Sequence, residues 1–86
     1  MAERRIGEVT KYFAKPSVAA VKVIDGEIVV GDTIRFTGHT TDLTMALDSM
    51  EVNNQPVARA VVGDYVGIKV LDRVREGDDV FKVTAD

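Results

Sequence analysis

The chain contains one histidine, His39, and no cysteine, so nucleophilic catalysis would have to be built around a single imidazole. The two serines, Ser17 and Ser49, do not lie in the Gly-x-Ser-x-Gly turn that exposes a catalytic serine. His39 follows Gly38 in a polar stretch, which is typical of a loop residue whose hydrogen bonds hold a turn. We therefore predict that the chain is not an enzyme and that it has no catalytic residues.

The acidic and glycine residues form no recognisable site for a metal or a nucleotide. The densest acidic group, residues 76–79, lacks the D-x-D-x-D-G spacing that supplies oxygen ligands to calcium. Neither G-x-x-x-x-G-K-[ST] nor G-x-G-x-x-G is present. The sequence predicts no metal, no cofactor and no nucleotide bound in the P-loop manner.

Basic residues near both ends of the chain are candidates for binding nucleic acid; they are Arg4, Arg5, Lys11, Lys15, Arg73 and Arg75. If the terminal strands lie side by side, these cations form one patch, and Tyr12 and Phe13 add aromatic surface for stacking bases. Against this, 11 basic and 14 acidic side chains give a net charge of -3, whereas nucleic-acid-binding domains usually carry a basic surplus. The alternative is that the charges only solubilise strand edges and that Phe13 is core.

The elements that position these side chains are strands introduced by Gly-Asp turns. Val30-Gly31-Asp32 and Val62-Gly63-Asp64 each precede a β-branched run, and Gly77-Asp78 precedes a third. Glycine permits the positive φ of a tight turn, and aspartate can hydrogen-bond back onto its own backbone. The sequence predicts strands over residues 6–13, 18–24, 33–37, 65–70 and 79–84, with a bridging segment at 27–30 and a turn at 53–56.

Alternation along these runs predicts which side chains form the core. The residues predicted to face inward are Val9, Phe13, Ala19, Val21, Val23, Ile34, Phe36, Val66, Ile68 and Val70. Lys22 is predicted to face water.

Residues 43–52 fit two structures. Leu43, Ala46, Leu47 and Met50 lie at helical spacing, and Asp42 could cap such a helix. In the same segment apolar and polar residues also alternate, and the alternation shifts by one residue once, as in a long strand with a bulge. Short strands and Gly-Asp turns elsewhere favour a small closed barrel, formed by a single domain over residues 1–86.

The beginning of the chain and its composition predict a cytoplasmic location. Residues 1–5 include two arginines but no apolar stretch follows them, so we expect no signal peptide. No run approaches the roughly 20 apolar residues that span a bilayer, so no membrane partner is expected. The absence of cysteine fits a reducing compartment.

Several short sequence motifs, taken in order, resemble those of the second domain of the translational GTPases, such as elongation factor Tu and initiation factor two. They lie at residues 6–9, 17–19, 29–34, 38–42 and 60–68, and the resemblance runs from Ile6 to Val83. It implies an all-β fold, a small six-stranded antiparallel Greek-key-like barrel in which residues 43–52 are a strand. Similar barrels occur as C-terminal modules of collagenase-like peptidases, which the chain also resembles.

The resemblance implies a non-catalytic module that contacts tRNA, ribosomal RNA or a translation-associated protein, without a GTPase domain. Glu51 falls near a glutamate that borders the aminoacyl pocket of elongation factor Tu, whereas Tyr65 replaces a polar residue of that pocket. The predicted RNA- or partner-binding residues are Lys11, Lys15, Arg35, His39, Thr40, Glu51, Arg73 and Arg75.

Two other functions remain open from the sequence. One is a purely protein-binding accessory barrel that pairs with a larger enzyme, for example through an exposed strand edge. The other is a small-molecule barrel of the flavin type, although the Arg-x-Tyr-[Ser/Thr] phrase of flavin reductases is missing.

Overall fold

Ten β-strands make up most of residues 2–84, the part of the chain that the computed structural model describes. They are β1 (Ala2–Phe13), β2 (Val18–Val23), β3 (Glu27–Val29), β4 (Thr33–Thr37), β5 (Asp42–Ala46), β6 (Met50–Val52), β7 (Gln55–Val57), β8 (Arg59–Val61), β9 (Tyr65–Lys69) and β10 (Asp79–Thr84). Within residues 2–84 no helix is long and apolar enough to cross a membrane.

Eight strands form one antiparallel sheet in the order β5-β4-β10-β1-β2-β9-β6-β7, and β3 and β8 form a separate antiparallel ribbon. The predicted all-β, antiparallel class is confirmed. The closed six-stranded barrel is not, because in the described range the edge strands β5 and β7 do not pair with each other. The bridging segment at 27–30 contributes β3, which pairs with β8, and the predicted turn at 53–56 contributes the start of β7, which pairs with β6.

The long strand β1 joins the two halves of the sheet, since it pairs with β10 along its first part and with β2 along its second. Its register shifts between Arg5 and Gly7 and again between Val9 and Lys11. A bulge bends a strand, and one extra residue moves the side chains that follow to the opposite face. Val9 is therefore buried whereas Phe13 is 42% exposed, so the prediction that they share an inward face is wrong.

The other predicted inward faces are confirmed. The buried residues from those predictions are Ala19, Val21, Val23, Ile34, Phe36, Val66, Ile68 and Val70, and Lys22 is exposed as expected. Residues outside the predicted set, such as Ile6, Ile28 and Val74, are also fully buried. Because each buried aliphatic or phenyl side chain contributes roughly 1.5–3 kcal/mol, this core is the main source of stability in a chain without cysteine.

Residues 43–52 form strands rather than a helix. β5 ends at Ala46 and β6 begins at Met50, so the shift in the alternation marks a break between two strands. In the break, the Leu47 N–H donates to the Asp32 carbonyl and the Leu47 carbonyl accepts from the Gly31 N–H, both at 2.8 Å. The Leu47 side chain is fully buried, so it anchors the segment between β5 and β6 to the core.

The three Gly-Asp pairs form the same turn. In each, the aspartate N–H donates to the carbonyl of the residue three positions earlier, and the aspartate carboxylate accepts from the N–H of that residue. The preceding glycines have φ values of 104°, 97° and 89°, a conformation that other residues adopt only with strain. The paired residues are Val29 with Asp32, Val61 with Asp64 and Arg75 with Asp78. The predicted hydrogen bonding of aspartate onto its backbone is confirmed.

Each of these turns is bound to one fully buried anchor residue by two backbone hydrogen bonds of 2.8–2.9 Å. The glycine N–H donates to the anchor carbonyl, and the anchor N–H donates to the aspartate carbonyl. The anchors are Leu47, Val23 and Val9, for the turns at 29–32, 61–64 and 75–78 respectively. Because an unpaired buried polar group costs about 1–3 kcal/mol, these contacts hold the strand ends to the core.

Replacing the turn aspartates should destabilise the domain in order of their burial. Asp78 is 6% exposed, so Asp78→Ala leaves the Arg75 N–H without the carboxylate that accepts its part-buried hydrogen bond. We expect a loss of about 2–3 kcal/mol in the free energy of unfolding for Asp78→Ala and about 1–2 kcal/mol for the less buried Asp64→Ala. Urea unfolding followed by circular dichroism measures both values.

Asp48→Ala is the matched control, since Asp48 is exposed and its carboxylate accepts no hydrogen bond from residues 2–84. Its free energy of unfolding should change by less than about 0.5 kcal/mol. An Asp78→Ala variant as stable as the Asp48→Ala control would contradict the role assigned to the turns.

Candidate functional site

The basic side chains divide into two groups along β1. Around its first half and the β3–β8 ribbon, five cations are in ion pairs: Arg4 with Asp25, Arg5 with Asp79, Arg35 with Glu3 and Asp42, Arg59 with Glu27, and Lys82 with Asp32. Six cations pair with no carboxylate of residues 2–84. Five of them lie around the second half of β1, namely Lys11, Lys15, Lys69, Arg73 and Arg75, and the sixth, Lys22, lies on β2 beside Tyr65. The excess positive charge is therefore concentrated at one end of the domain, although the whole chain is acidic.

Three of these unpaired cations line one shallow groove of about 420 Å³. This basic groove is formed by Lys11, Tyr12, Arg73, Val74, Arg75 and Glu76. Val74 is fully buried and holds the connection between β9 and β10 against the core. The Arg75 Nε donates to the Thr40 Oγ1 at 2.9 Å, which joins this connection to the loop after β4. The structure thus brings together Lys11, Thr40, Arg73 and Arg75, which the sequence predicted as binding residues.

Two other predicted residues lie near the basic groove without lining it. Lys15 is in the turn between β1 and β2, and the Val70 N–H donates to the Ser17 carbonyl of that turn at 2.8 Å. His39 is exposed in the loop that carries Thr40, and its side chain makes no hydrogen bond with residues 2–84. The predicted turn-holding role of the His39 side chain is therefore not seen.

Arg35 lies away from the basic groove, on the outer face of β4. Its guanidinium donates to Asp42 at 3.1 Å and to both Glu3 oxygens at 3.1 and 3.2 Å. The hydrogen bond to Asp42, together with the charges of both carboxylates, raises the pKa of Arg35 above its ordinary value. In the same way, hydrogen bonds from Arg4 hold the pKa of Asp25 below its usual range. The charges of Arg35 and Asp25 are therefore balanced by the side chains with which they pair.

Glu51 lies in a second depression, of about 230 Å³, on the outer face of β2, β9 and β6. We call it the aromatic trough; it is lined by Phe13, Val18, Ala20, Glu51, Asn53, Asn54, Tyr65, Val66 and Gly67. Ala20 and Gly67 are direct cross-strand partners, so the floor carries almost no side-chain bulk. The Lys11 Nζ lies 5.2 Å from the Phe13 ring centroid, and the Lys22 Nζ lies 5.6 Å from that of Tyr65.

A third depression, of about 670 Å³, lies where the ends of β1 and β10 meet the ribbon. Three of the paired cations, Arg4, Arg59 and Lys82, line it. Val61 also lines it, and Ile24 and Val62 are further exposed apolar residues; the hydrogen bond from the Gly63 N–H to the Val23 carbonyl brings the backbone of the turn at 61–64 to the end of β2. We call these three residues the ribbon patch. The sequence did not identify it.

No group of three or more His, Cys, Asp or Glu side chains within residues 2–84 is arranged to hold a metal ion.

In sequence, the chain is similar to segments of much longer proteins. It is 38% identical over 77 residues to a protein described as an uncharacterized protease of Methanocaldococcus jannaschii, a match that covers 88% of this chain and 19% of that protein. It is 31% identical over 78 residues to a protein described as a collagenase of Porphyromonas gingivalis, covering 90% of this chain and 22% of that protein. The chain therefore spans about a fifth of the length of these curated relatives. No protein-family model matches it.

In fold, the chain is similar to the C-terminal domain of a protein described as a U32 peptidase of Geobacillus thermoleovorans. One crystal structure of that domain gives a TM-score of 0.86 with 93% of this chain and 92% of the domain covered. A selenomethionine variant gives a TM-score of 0.83 with 90% and 96% covered. Both are 18% identical to this chain, so they show a shared fold only. The comparisons confirm the collagenase-like part of the predicted resemblance, while the translation-factor part stays a prediction.

Proposed function

We propose that this chain is a non-catalytic accessory domain that works joined or bound to the catalytic body of a larger peptidase-like enzyme. The observation that carries the proposal is the pair of matches: about 90% of the chain aligns with about a fifth of proteins described as a protease and a collagenase. It also covers 96% of one separately crystallised C-terminal domain.

The ribbon patch is the surface best suited to packing against such a body. A cluster of exposed apolar side chains on a small domain is typical of a protein–protein interface. The neighbouring ion pairs, Arg4 with Asp25 and Arg59 with Glu27, would form the polar rim that surrounds the apolar centre of an interface. The β3–β8 ribbon would therefore face the enzyme body.

The ribbon patch can be tested with a catalytic body that lacks its own copy of the domain, such as the Methanocaldococcus jannaschii relative without its matched segment. Calorimetric titration should detect binding of the wild-type chain. The Val61→Asp/Val62→Asp variant should bind at least about tenfold more weakly, because two charges would then be buried at the centre of the contact.

Leu71→Asp is the matched control, since Leu71 is 80% exposed and lies outside the ribbon patch. Its affinity should equal that of the wild type. Unchanged binding by the Val61→Asp/Val62→Asp variant, or no binding by any form, would contradict the docking proposal. Hydrolysis of casein by the chain alone, lost in His39→Ala, would contradict the non-catalytic role.

A second function, contact with RNA as predicted from the translation-factor resemblance, is supported by the separation of charge. Lys11, Arg73 and Arg75 line the basic groove, and Lys15 and Lys69 lie at the same end of the domain. Unpaired cations attract phosphates without first breaking an internal ion pair. We propose that the basic groove is the surface that contacts RNA.

Binding to bulk tRNA and to ribosomal subunits at two salt concentrations tests the RNA contact. Removing two phosphate contacts in Arg73→Ala/Arg75→Ala should weaken binding and reduce the slope of log K against log salt by about 1.4–1.8. The variant keeps the turn at 75–78, because Asp78 binds the backbone N–H of residue 75. Arg35→Ala, on a different face, should bind as the wild type does. No binding at low salt would rule the function out.

A further inference from the structure

We infer that the aromatic trough is a binding site for a proline-rich peptide segment in the polyproline II conformation. This goes beyond the proposed function, because it assigns a ligand to a surface distinct from the ribbon patch and the basic groove. It also holds whether or not the chain is joined to an enzyme.

The backbone beneath the aromatic trough is not available for strand addition. β2 lies between β1 and β9, and β9 lies between β2 and β6, so both central strands are paired on both sides. A ligand in the trough must therefore be recognised by side chains. This excludes the main-chain pairing by which extended peptides add to a sheet edge.

The walls and floor of the trough suit a compact, apolar ring. Phe13 and Tyr65 are 42% and 57% exposed on either side of the low floor made by Ala20 and Gly67. Aromatic-lined grooves of this kind bind proline-rich segments, whose preformed helix loses little entropy on binding. The volume of about 230 Å³ is below the roughly 300–1,000 Å³ of sites for drug-sized ligands and cofactors, so it argues against a flavin.

The polar groups of the trough include hydrogen-bond donors beside the Glu51 carboxylate. Asn53 and Asn54 lie at one side with φ values of 52° and 63°, as in a two-residue hairpin turn. Their amides and the Tyr65 hydroxyl can donate to carbonyl oxygens. A polyproline II segment has free carbonyls and no internal hydrogen bonds, and its prolines have no N–H. The donors of the trough can therefore pair with the free carbonyls of such a ligand.

The opposite charges at the two ends of the trough indicate the direction and the length of the ligand. Lys11, Ala20, Gly67 and Glu51 form one cross-strand row, with the cation at one end and the carboxylate at the other. Three strand spacings separate the ends by about 14 Å, which four or five polyproline II residues would span at about 3.1 Å each. Glu51 is in no ion pair with residues 2–84, so it can accept a basic ligand residue. The same carboxylate would repel a nucleic-acid phosphate.

The probe is the synthetic peptide acetyl-Glu-(Pro)5-Arg-amide, titrated into the ¹⁵N-labelled chain and followed by amide chemical shifts. Saturable shifts are expected at Ala20, Gly67, Asn53 and Asn54. Glu51→Gln should weaken binding by about three- to fivefold, and replacing the peptide arginine by glutamine should then have little further effect.

The Gly67→Ala variant tests most directly whether the peptide binds on the floor of the trough. An added Cβ would lie 3.5 Å from the Val18 Cγ1 and 4.0 Å from the Glu51 carbonyl oxygen, which are ordinary contacts, so the variant should fold. The methyl group raises the floor of the trough, and we expect affinity to fall about tenfold while the unfolding midpoint stays within error. A Leu71→Ala control should bind the peptide normally.

The inference is overturned if the peptide causes no saturable shifts at millimolar concentration, or if Gly67→Ala binds as well as the wild type. It is also overturned if single-stranded oligonucleotide causes the same shifts at lower concentration than the peptide. The Val61→Asp/Val62→Asp variant should still bind the peptide, so failure of the docking proposal and failure of this one are distinguishable.

Discussion

The structure depends on one repeated interaction, a Gly-Asp turn whose backbone is hydrogen-bonded to a single buried residue. The aspartate closes the turn onto the residue three positions earlier, and the turn then clamps Leu47, Val23 or Val9. Two of the turns lie at surfaces to which a function is proposed. The turn at 61–64 carries Val61 and Val62 of the ribbon patch and precedes Tyr65, and the turn at 75–78 begins at Arg75 in the basic groove. The same Gly-Asp turns therefore contribute both to stability and to the arrangement of the surface residues.

The sequence predicted the parts of the fold that depend on local chemistry. Alternation identified Ile34 and Phe36 as core because β4 is paired in regular register on both sides. It failed at Phe13, because the register shift between Val9 and Lys11 arises where β1 passes between two partners, and no residue type marks it. The aromatic trough depends on that shift. Three-residue strands such as β3 and β8 carry too little alternation to be recognised before they pair.

Net charge was a poor guide to the candidate site for a related reason. The chain carries -3 overall, but five of its cations are matched to carboxylates that are mostly distant in sequence, such as Arg5 with Asp79. Only the folded arrangement shows which cations stay unpaired and that five of the six share one end. The sequence predicted one patch from six cations on the expectation that the terminal strands are neighbours; the structure brings Lys11, Arg73 and Arg75 together, whereas Arg4 and Arg5 are in ion pairs elsewhere.

Hydrogen–deuterium exchange tests most directly whether the domain docks through its ribbon. Exchange would be compared between the free chain and the chain bound or fused to a peptidase body. The account predicts slower exchange on assembly in residues 24–29 and 59–64, and unchanged exchange in residues 71–77. Protection confined to residues 71–77, or no protection anywhere, would contradict it.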